Sequence, residues 1–130
     1  MVKYIDPLLE MAKEAGNAIM EIYNAESLNV AYKEDQSPLT MADQAAHDIL
    51  IKRLLQLTPH IPIISEEDNK EAEAHQADIF WCVDPLDGTK EFIKKNGEFT
   101  VNVALIQNRL PILGVVYAPA LATFYYGANE

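Results

Sequence analysis

The residues best able to do chemistry in this chain are acidic, and they fall in three places. Ser65-Glu66-Glu67-Asp68 follows an apolar stretch that reads as a strand. Asp84-Pro85-Leu86-Asp87-Gly88-Thr89 follows the next such stretch, and Asp43 sits at the start of a helical pattern. In the second group Pro85 fixes its own φ and restricts the residue before it, which predicts a bend just past the strand. Two carboxylates three residues apart around that bend can face one point, where they repel each other unless a cation is present. Mg2+ suits such a set, because it takes oxygen ligands at about 2.1 Å and combines a few carboxylates with water and substrate phosphate. The Leu86 carbonyl in the bend is a further candidate ligand. Gly88 lets backbone approach a ligand closely. A short helix opening at Thr89 and running through Lys90-Glu91-Phe92-Ile93 would turn the amides of Gly88 and Thr89 toward an anion. One segment would then hold metal on one side and phosphate on the other.

Each group taken alone also has a reading without any ligand. Asp-Pro-x-Asp-Gly is good turn chemistry. Ser-Glu-Glu-Asp is a solvated acidic loop, and Asp43 is a helix-capping carboxylate. The combination is more telling, because two strands each ending in acidic residues flank a Gly-Thr turn, with a further Asp upstream. The spacing is not that of an EF-hand loop. His47, His60 and His75 lack ligand spacing and read as surface residues. Cys82 reads as a small core residue, Trp81 as a packing residue, and Lys94 and Lys95 as solvated charges, with steering of a phosphate as the alternative.

The chain around these residues has 130 amino acids, enough for one domain, and 49% hydrophobic content supports a packed core. Ten basic residues stand against 20 acidic ones, a net charge of −10, which argues against a surface for bare nucleic acid or anionic lipid. The single cysteine excludes an internal disulfide. Residues 1–16 mix charges among apolar residues, unlike a signal peptide, and the longest apolar stretch, Ile112 to Ala122, is too short to span a bilayer. The composition is that of a soluble cytosolic protein.

Periodicity predicts an amphipathic helix over Tyr4 to Tyr23, capped by Asp6 with Pro7 at its first position; Ile5, Leu8, Leu9, Ala12, Ala15, Ile19, Ile22 and Tyr23 form its apolar face. A weak strand or hairpin is expected over Asn29 to Leu39. A second helix is expected from about Met41 to Leu57, with Thr40 to Asp43 as a variant capping box and Ala46, Ile49, Leu50, Leu54 and Leu57 inward. Five strands follow, over Ile61 to Ser65, Ile79 to Val83, Phe99 to Ile106, Ile112 to Tyr117 and Thr123 to Tyr126, with Gln107 to Pro111 as a hairpin connection. Two helices followed by strands predict an α+β fold: a mostly antiparallel sheet with two long helices packed on it. The last strand ends close to the terminus, which suggests that further chain belongs downstream.

Glu66-Glu67 followed by Trp81-Cys82-Val83-Asp84-Pro85-Leu86-Asp87-Gly88-Thr89 resembles the inositol monophosphatase superfamily of lithium-sensitive, Mg2+-dependent phosphatases. The continuation, Lys90-Glu91-Phe92-Ile93-Lys94-Lys95-Asn96-Gly97-Glu98-Phe99-Thr100-Val101-Asn102 and then Pro111-Ile112-Leu113-Gly114-Val115-Val116-Tyr117-Ala118-Pro119, resembles the CysQ type of 3'(2'),5'-bisphosphate nucleotidase. Inositol monophosphatases usually carry Thr-Asn-Phe where this chain has Lys90-Glu91-Phe92. Ser37-Pro38-Leu39-Thr40 before Asp43 also fits, so the resemblance covers nearly the whole chain.

The resemblance implies that Glu66, Asp84 and the Leu86 carbonyl hold one Mg2+ and that Asp84 and Asp87 help to hold a second, in a complete site of two or three ions. It implies that Thr89, hydrogen-bonded to Asp43, activates the attacking water with help from Glu66. Gly88 and Thr89 amides would bind the scissile phosphate, with Glu66, Leu86 and Asp87 also lining the substrate site. The implied reaction removes the 3'-phosphate of adenosine 3',5'-bisphosphate to give AMP and phosphate, recycling a by-product of sulfate assimilation. The implied partner is thus a small nucleotide bisphosphate and not a nucleic acid. An inositol or sugar-bisphosphate phosphatase is the alternative within the same chemistry, and a non-catalytic acidic metal-binding fragment is the alternative outside it. Family members are about twice as long, and their second half supplies a Trp-Asp-x-Ala motif; the only tryptophan here is Trp81, followed by Cys82. Residues 1–130 therefore read as the N-terminal metal-binding domain, with the C-terminal domain absent and little activity expected from this part alone. A cytoplasmic location is implied; peripheral association with the inner face of the inner membrane and self-association through uncovered apolar surface stay open.

Overall fold

The computed structural model describes residues 2–27, 37–65 and 78–129. After a 3-10 turn over Val2–Tyr4, the described elements are α1 (Ile5–Ser27), α2 (Pro38–Leu57), β1 (Ile63–Ser65), β2 (Ile79–Asp87), α3 (Thr89–Lys94), β3 (Thr100–Gln107), β4 (Leu110–Ala118) and β5 (Thr123–Ala128). The strands form one sheet in the order β1-β2-β3-β4-β5. β1 runs parallel to β2, and the other three pairings are antiparallel. The α+β expectation, a mostly antiparallel sheet under two long helices, matches this architecture.

In α1 the residues Ile5, Leu8, Met11, Ala12, Ala15 and Ile19 are buried, at helical spacing. The helix opens at Ile5, so Asp6 lies in the first turn, where its charge complements the helix dipole, instead of capping it. α2 opens a turn earlier than its apolar period indicates. Ser37 is the N-cap: its Oγ accepts the Thr40 N–H at 3.1 Å, and Pro38 takes the first helical position. The expected Thr40 cap and the expected strand ending at Leu39 are therefore corrected, because Pro38 and Leu39 are helical; residues 29–36 of that expected strand lie outside the described residues. Asp43 consequently sits in the second turn of α2, beyond the reach of a cap.

Strand side chains alternate with period two. Trp81 and Val83 of β2, Val101, Val103 and Leu105 of β3, and Leu113, Val115 and Tyr117 of β4 are all buried on the helix side. α1 packs over β3 and β4, and α2 packs over β1 and β2. β3 and β4 are joined through Asn108-Arg109, whose φ angles of 51° and 69° give a hairpin turn that matches the sheet twist. One buried hydrogen bond ties the helix layer to the sheet: Trp81 Nε1 donates to Thr58 Oγ1 at 2.8 Å, while Thr58 Oγ1 donates to Leu54 O at 3.2 Å. The C-terminus of α2 is thereby fixed against the middle of β2.

Gly16 marks the closest approach of α1 to the sheet. A Cβ built there would lie 2.7 Å from Tyr117 Cδ2 and 3.0 Å from Pro119 Cβ. Tyr117 cannot yield easily, because its ring stacks on Phe124 with centroids 4.1 Å apart. Gly16→Ala gains about 1 kcal/mol of helix propensity but overpacks the layer at a cost of about 1–3 kcal/mol. The variant is expected to be less stable than the parent in urea unfolding, with an unchanged slope; equal or higher stability would show that the ring moves aside.

Candidate active site

The two carboxylates that the sequence places around a bend are in fact brought together inside a strand. β2 continues past Val83 to Asp87, so Asp84 and Asp87 both belong to the sheet. Asp84 pairs with Asn102 of β3, and Asp87 pairs with Thr100. Three steps along β2 thus match two steps along β3, which makes Pro85 and Leu86 a β-bulge opposite Val101. Pro85 has no N–H to offer the ladder, which suits it to this position. Asn102 and Thr100 share a face of β3, so Asp84 and Asp87 share that face too, the one turned away from α1 and α2. Asn102 Nδ2 donates to Asp87 Oδ2 at 3.2 Å, in agreement with this register. Pro85 and Leu86 are both buried, so the bulge is packed from behind.

Gly88 then reverses the chain with φ 91° and ψ 51° and serves as the N-cap of α3, accepting the Phe92 N–H at 3.0 Å. Thr89 is the first residue of that helix, and its side of the chain is exposed. α3 is short, but it is anchored firmly. Phe92 is buried edge-on against Phe99, with centroids 5.3 Å apart, and against Tyr23 of α1 at 5.4 Å. Lys95, which closes the helix in the left-handed region with φ 62°, donates from Nζ to Tyr23 O at 2.6 Å and sits 3.9 Å from the centre of the Tyr23 ring. The expectation that Lys95 is a solvated charge is corrected: it is half-buried and clamps α3 to α1. Lys94 is exposed as expected.

Asp43 is half-buried on α2, with its Oδ1 inside the protein. α2 touches both β2 and α3, so the helix that carries Asp43 adjoins the elements that carry Asp84, Asp87 and Thr89. One turn further along α2, His47 Nδ1 lies 2.9 Å from the Oγ of Ser65, which is buried at the end of β1. His47 is thus part of the contact between α2 and β1 and not a free surface residue, a correction that no ligand spacing could have revealed. His60 is exposed, as expected. Glu66, Glu67, Asp68 and His75 lie outside the described residues. Cys82 points to the outer face of the sheet and is exposed, which corrects its expected place in the core; an alternating strand puts Cys82 opposite Trp81 and Val83.

Among the described residues, no group of three or more His, Cys, Asp and Glu side chains converges. The arrangement is a pair of carboxylates with one amide. Asn102 is the residue that the sequence reading missed. Its signal was present: in a strand that alternates Val101, Val103 and Leu105 with an outer face, it is a polar residue directly across from an acidic one. The chemistry available here is that of hard oxygen donors on one face, beside a glycine that admits a close ligand. A concavity of about 620 Å3 lies elsewhere on the outer face, along Ile112, Gly114, Val116 and Tyr125. It is open and apolar, and it carries no titratable group suited to this chemistry.

Comparison with known proteins gives a consistent result. The sequence profile of the inositol monophosphatase family matches residues 2–130. The 3'(2'),5'-bisphosphate nucleotidase CysQ of Salmonella typhimurium is 52% identical over 127 residues, covering 96% of this chain and 52% of that protein. The crystal structure of CysQ from Bacteroides thetaiotaomicron superposes with a TM-score of 0.82 at 41% identity, covering 95% of this chain and 45% of that one. Inositol monophosphatase-II from Staphylococcus aureus shares the fold, with a TM-score of 0.81 at 23% identity over 98% of this chain and 46% of that one. The chain spans about half the length of the curated relatives it matches.

Gly88 is where the backbone of the site tolerates least. A Cβ there meets Glu98 O and Phe99 Cα, both at 3.2 Å, in a left-handed conformation. Gly88→Ala is expected to lower stability by about 1–2 kcal/mol from the backbone conformation alone, measured by urea unfolding. A neutral result would mean that the strand-to-helix turn relaxes readily.

Proposed function

The chain belongs to the inositol monophosphatase family, and we propose that it is the N-terminal, metal-holding part of a Mg2+-dependent phosphomonoesterase. The proposed reaction takes adenosine 3',5'-bisphosphate to AMP and phosphate. The substrate is drawn from the CysQ nucleotidases, the relatives of highest identity reported above. The observation that carries the reading is the bulge, which puts Asp84 and Asp87 on one face of the sheet immediately before the Gly88 turn.

The residues fit a divalent cation. The donors are all hard oxygens, as Mg2+ requires. The Oδ1 of Asn102 beside them is buried and has no hydrogen-bond partner among the described residues. A buried acceptor left alone costs about 1–3 kcal/mol, and a hydrated cation at this point would satisfy it. Asp84, Asp87 and the Leu86 carbonyl are the residues assigned to hold Mg2+, with Glu66 as a further carboxylate. Bound there, Mg2+ supplies Lewis-acid polarisation of the phosphoryl oxygens and offsets charge on the leaving oxygen.

The chain's own part in the chemistry is positional. The amides of Gly88 and Thr89 stand at the start of α3 and receive the scissile phosphate. In the working site the Thr89 hydroxyl would donate to the Asp43 carboxylate and accept a hydrogen bond from the attacking water, aiming the water oxygen in line at phosphorus. As that oxygen bonds, the water's proton would pass through the Thr89 hydroxyl to the Asp43 carboxylate, the bond from phosphorus to the ribose 3'-oxygen would break, and the 3'-oxygen would take a proton from solvent and leave as a hydroxyl. Asp43 suits its role because it sits in the second turn of α2, beyond the helix cap, with one oxygen inside the protein.

The test is phosphate release by the chain extended to the length of its curated relatives, comparing adenosine 3',5'-bisphosphate with inositol monophosphate. Preference for the inositol ester would move the assignment to the other branch of the family. No Mg2+-dependent release from either ester would sink the enzymatic reading. In that extended protein Asp84→Asn is expected to lower kcat/KM by a hundredfold or more, on the order of the loss of a ligand and its orienting shell. Thr89→Ala is expected to lower kcat by about 10²–10⁴ while the Mg2+ concentration for half activity stays the same. A rise in that concentration with unchanged kcat would make Thr89 a metal-site residue.

A further inference from the structure

We propose that Asn102 is a positioning residue of the cation site, fixing the Asp87 carboxylate with its amide nitrogen and presenting its carbonyl oxygen to the hydration shell of the bound cation. This rests on the reading of the acidic face as a metal centre and adds a residue to it.

Three observations meet at this side chain. Asn102 Nδ2 donates to Asp87 Oδ2 at 3.2 Å, across two adjacent strands. Asn102 is also the direct cross-strand partner of Asp84, so one side chain stands between both carboxylates on the same face. Its Oδ1 is buried with no hydrogen-bond partner among the described residues. The amide orientation is dictated by chemistry: an ionised carboxylate only accepts, so the nitrogen must face Asp87 and the oxygen must face elsewhere. No described residue donates to an oxygen at this position, and the water molecules around a divalent cation are suitable donors. Mg2+ keeps several of them when it binds.

The residue type also fits. A carboxylate here would add a third negative charge beside Asp84 and Asp87 and would have no proton to donate. An aliphatic residue would leave Asp87 free to rotate toward solvent. A neutral amide holds one oxygen of Asp87 in place, and its β3 backbone is itself paired on both sides, with β2 and with β4. Groups that orient a metal-binding carboxylate from behind typically contribute 10–100-fold to affinity.

The experiment is a calorimetric Mg2+ titration of the 130-residue chain and of its Asn102→Ala and Asn102→Leu variants, with thermal unfolding of each recorded without metal. Both variants are expected to bind Mg2+ about tenfold or more weakly than the parent, with metal-free unfolding midpoints within about 2 °C of it. The leucine variant keeps the volume, so a loss shared by both assigns the effect to the amide. In 15N spectra of the parent chain the Asn102 side-chain NH2 signals are expected to shift during the titration. Parent-like affinity in the variants overturns the proposal and leaves the metal reading standing. Loss of affinity accompanied by a fall in metal-free stability makes Asn102 a structural residue and also overturns it, as do unshifted NH2 signals. A parent chain that takes up no Mg2+ overturns the metal reading of this chain, and the proposal with it.

Discussion

Side chains along a regular strand alternate between the two faces of its sheet, so carboxylates three residues apart point in opposite directions. In this protein Asp84 and Asp87 are three apart and yet share a face, because β2 carries one more residue than β3 between their partners. The site as described depends on that extra residue. Removing it would send one carboxylate into the apolar layer under α1 and α2, where an unpaired charge is not tolerated. Proline at the bulge removes a donor that the ladder could not have paired. The burial of Pro85 and Leu86 holds the irregularity in one conformation. The bulge also re-aims the end of the strand, and the left-handed Gly88 follows directly as the entry to α3.

The remaining elements act as supports for this short segment. β2 is fixed in the middle by the buried Trp81–Thr58 hydrogen bond to α2. It is fixed on one side by the parallel pairing with β1 and on the other by the antiparallel pairing with β3. α3 has six residues and could not persist alone. Its stability comes from Phe92 in the aromatic cluster with Tyr23 and Phe99, and from Lys95 bonded to the backbone of α1. The His47–Ser65 hydrogen bond joins α2 to the end of β1, so the strand end just before Glu66 and the helix bearing Asp43 are linked by side chains. Loop residues that carry chemistry are commonly held this way, on rigid elements fixed at several points.

How far this was legible in the sequence depends on which physical signal each residue gives. Strand and helix identities follow from hydrophobic period, and each predicted element on described residues was found, apart from the tail of the 29–39 strand. Ends were harder. Ser37-Pro38 was available as a start signal for α2, but the apolar period began later and displaced it. The bulge was unreadable as such, because Asp-Pro-x-Asp-Gly specifies an irregularity without saying whether it lies within a ladder or beyond one. Cys82 shows the limit of composition. Cysteine is commonly buried, yet the alternation fixed by Trp81 and Val83 puts it on the outer face, and the alternation prevails. Lys95 and His47 were misjudged for a related reason. Each is polar in sequence but takes part in a contact between elements distant along the chain, Lys95 with Tyr23 and His47 with Ser65. Asn102 required knowing which residue of β2 it faces, and register is a property of the folded sheet.

Electrostatics explains why the acidic face needs a neutral partner and a cation more than it needs a basic residue. The chain carries −10 net charge, so the field around Asp84 and Asp87 is already negative. A lysine or arginine at position 102 would pair with them directly. Such a pair satisfies the carboxylates, and it would compete with any divalent ion for the same oxygens. Of the lysines of this segment, Lys90 and Lys94 are exposed, and Lys95 is committed to the Tyr23 carbonyl and ring. The amide at Asn102 orders one carboxylate while leaving the charge of the pair undiminished. On the proposed function, a site kept this way would attract a divalent cation by charge and favour a hard one by its oxygen donors, and it adjoins a left-handed glycine that leaves room for close approach. On that same proposal, the negative field would repel a phosphate ester arriving without the ion, so the cation would bind first or enter together with the substrate.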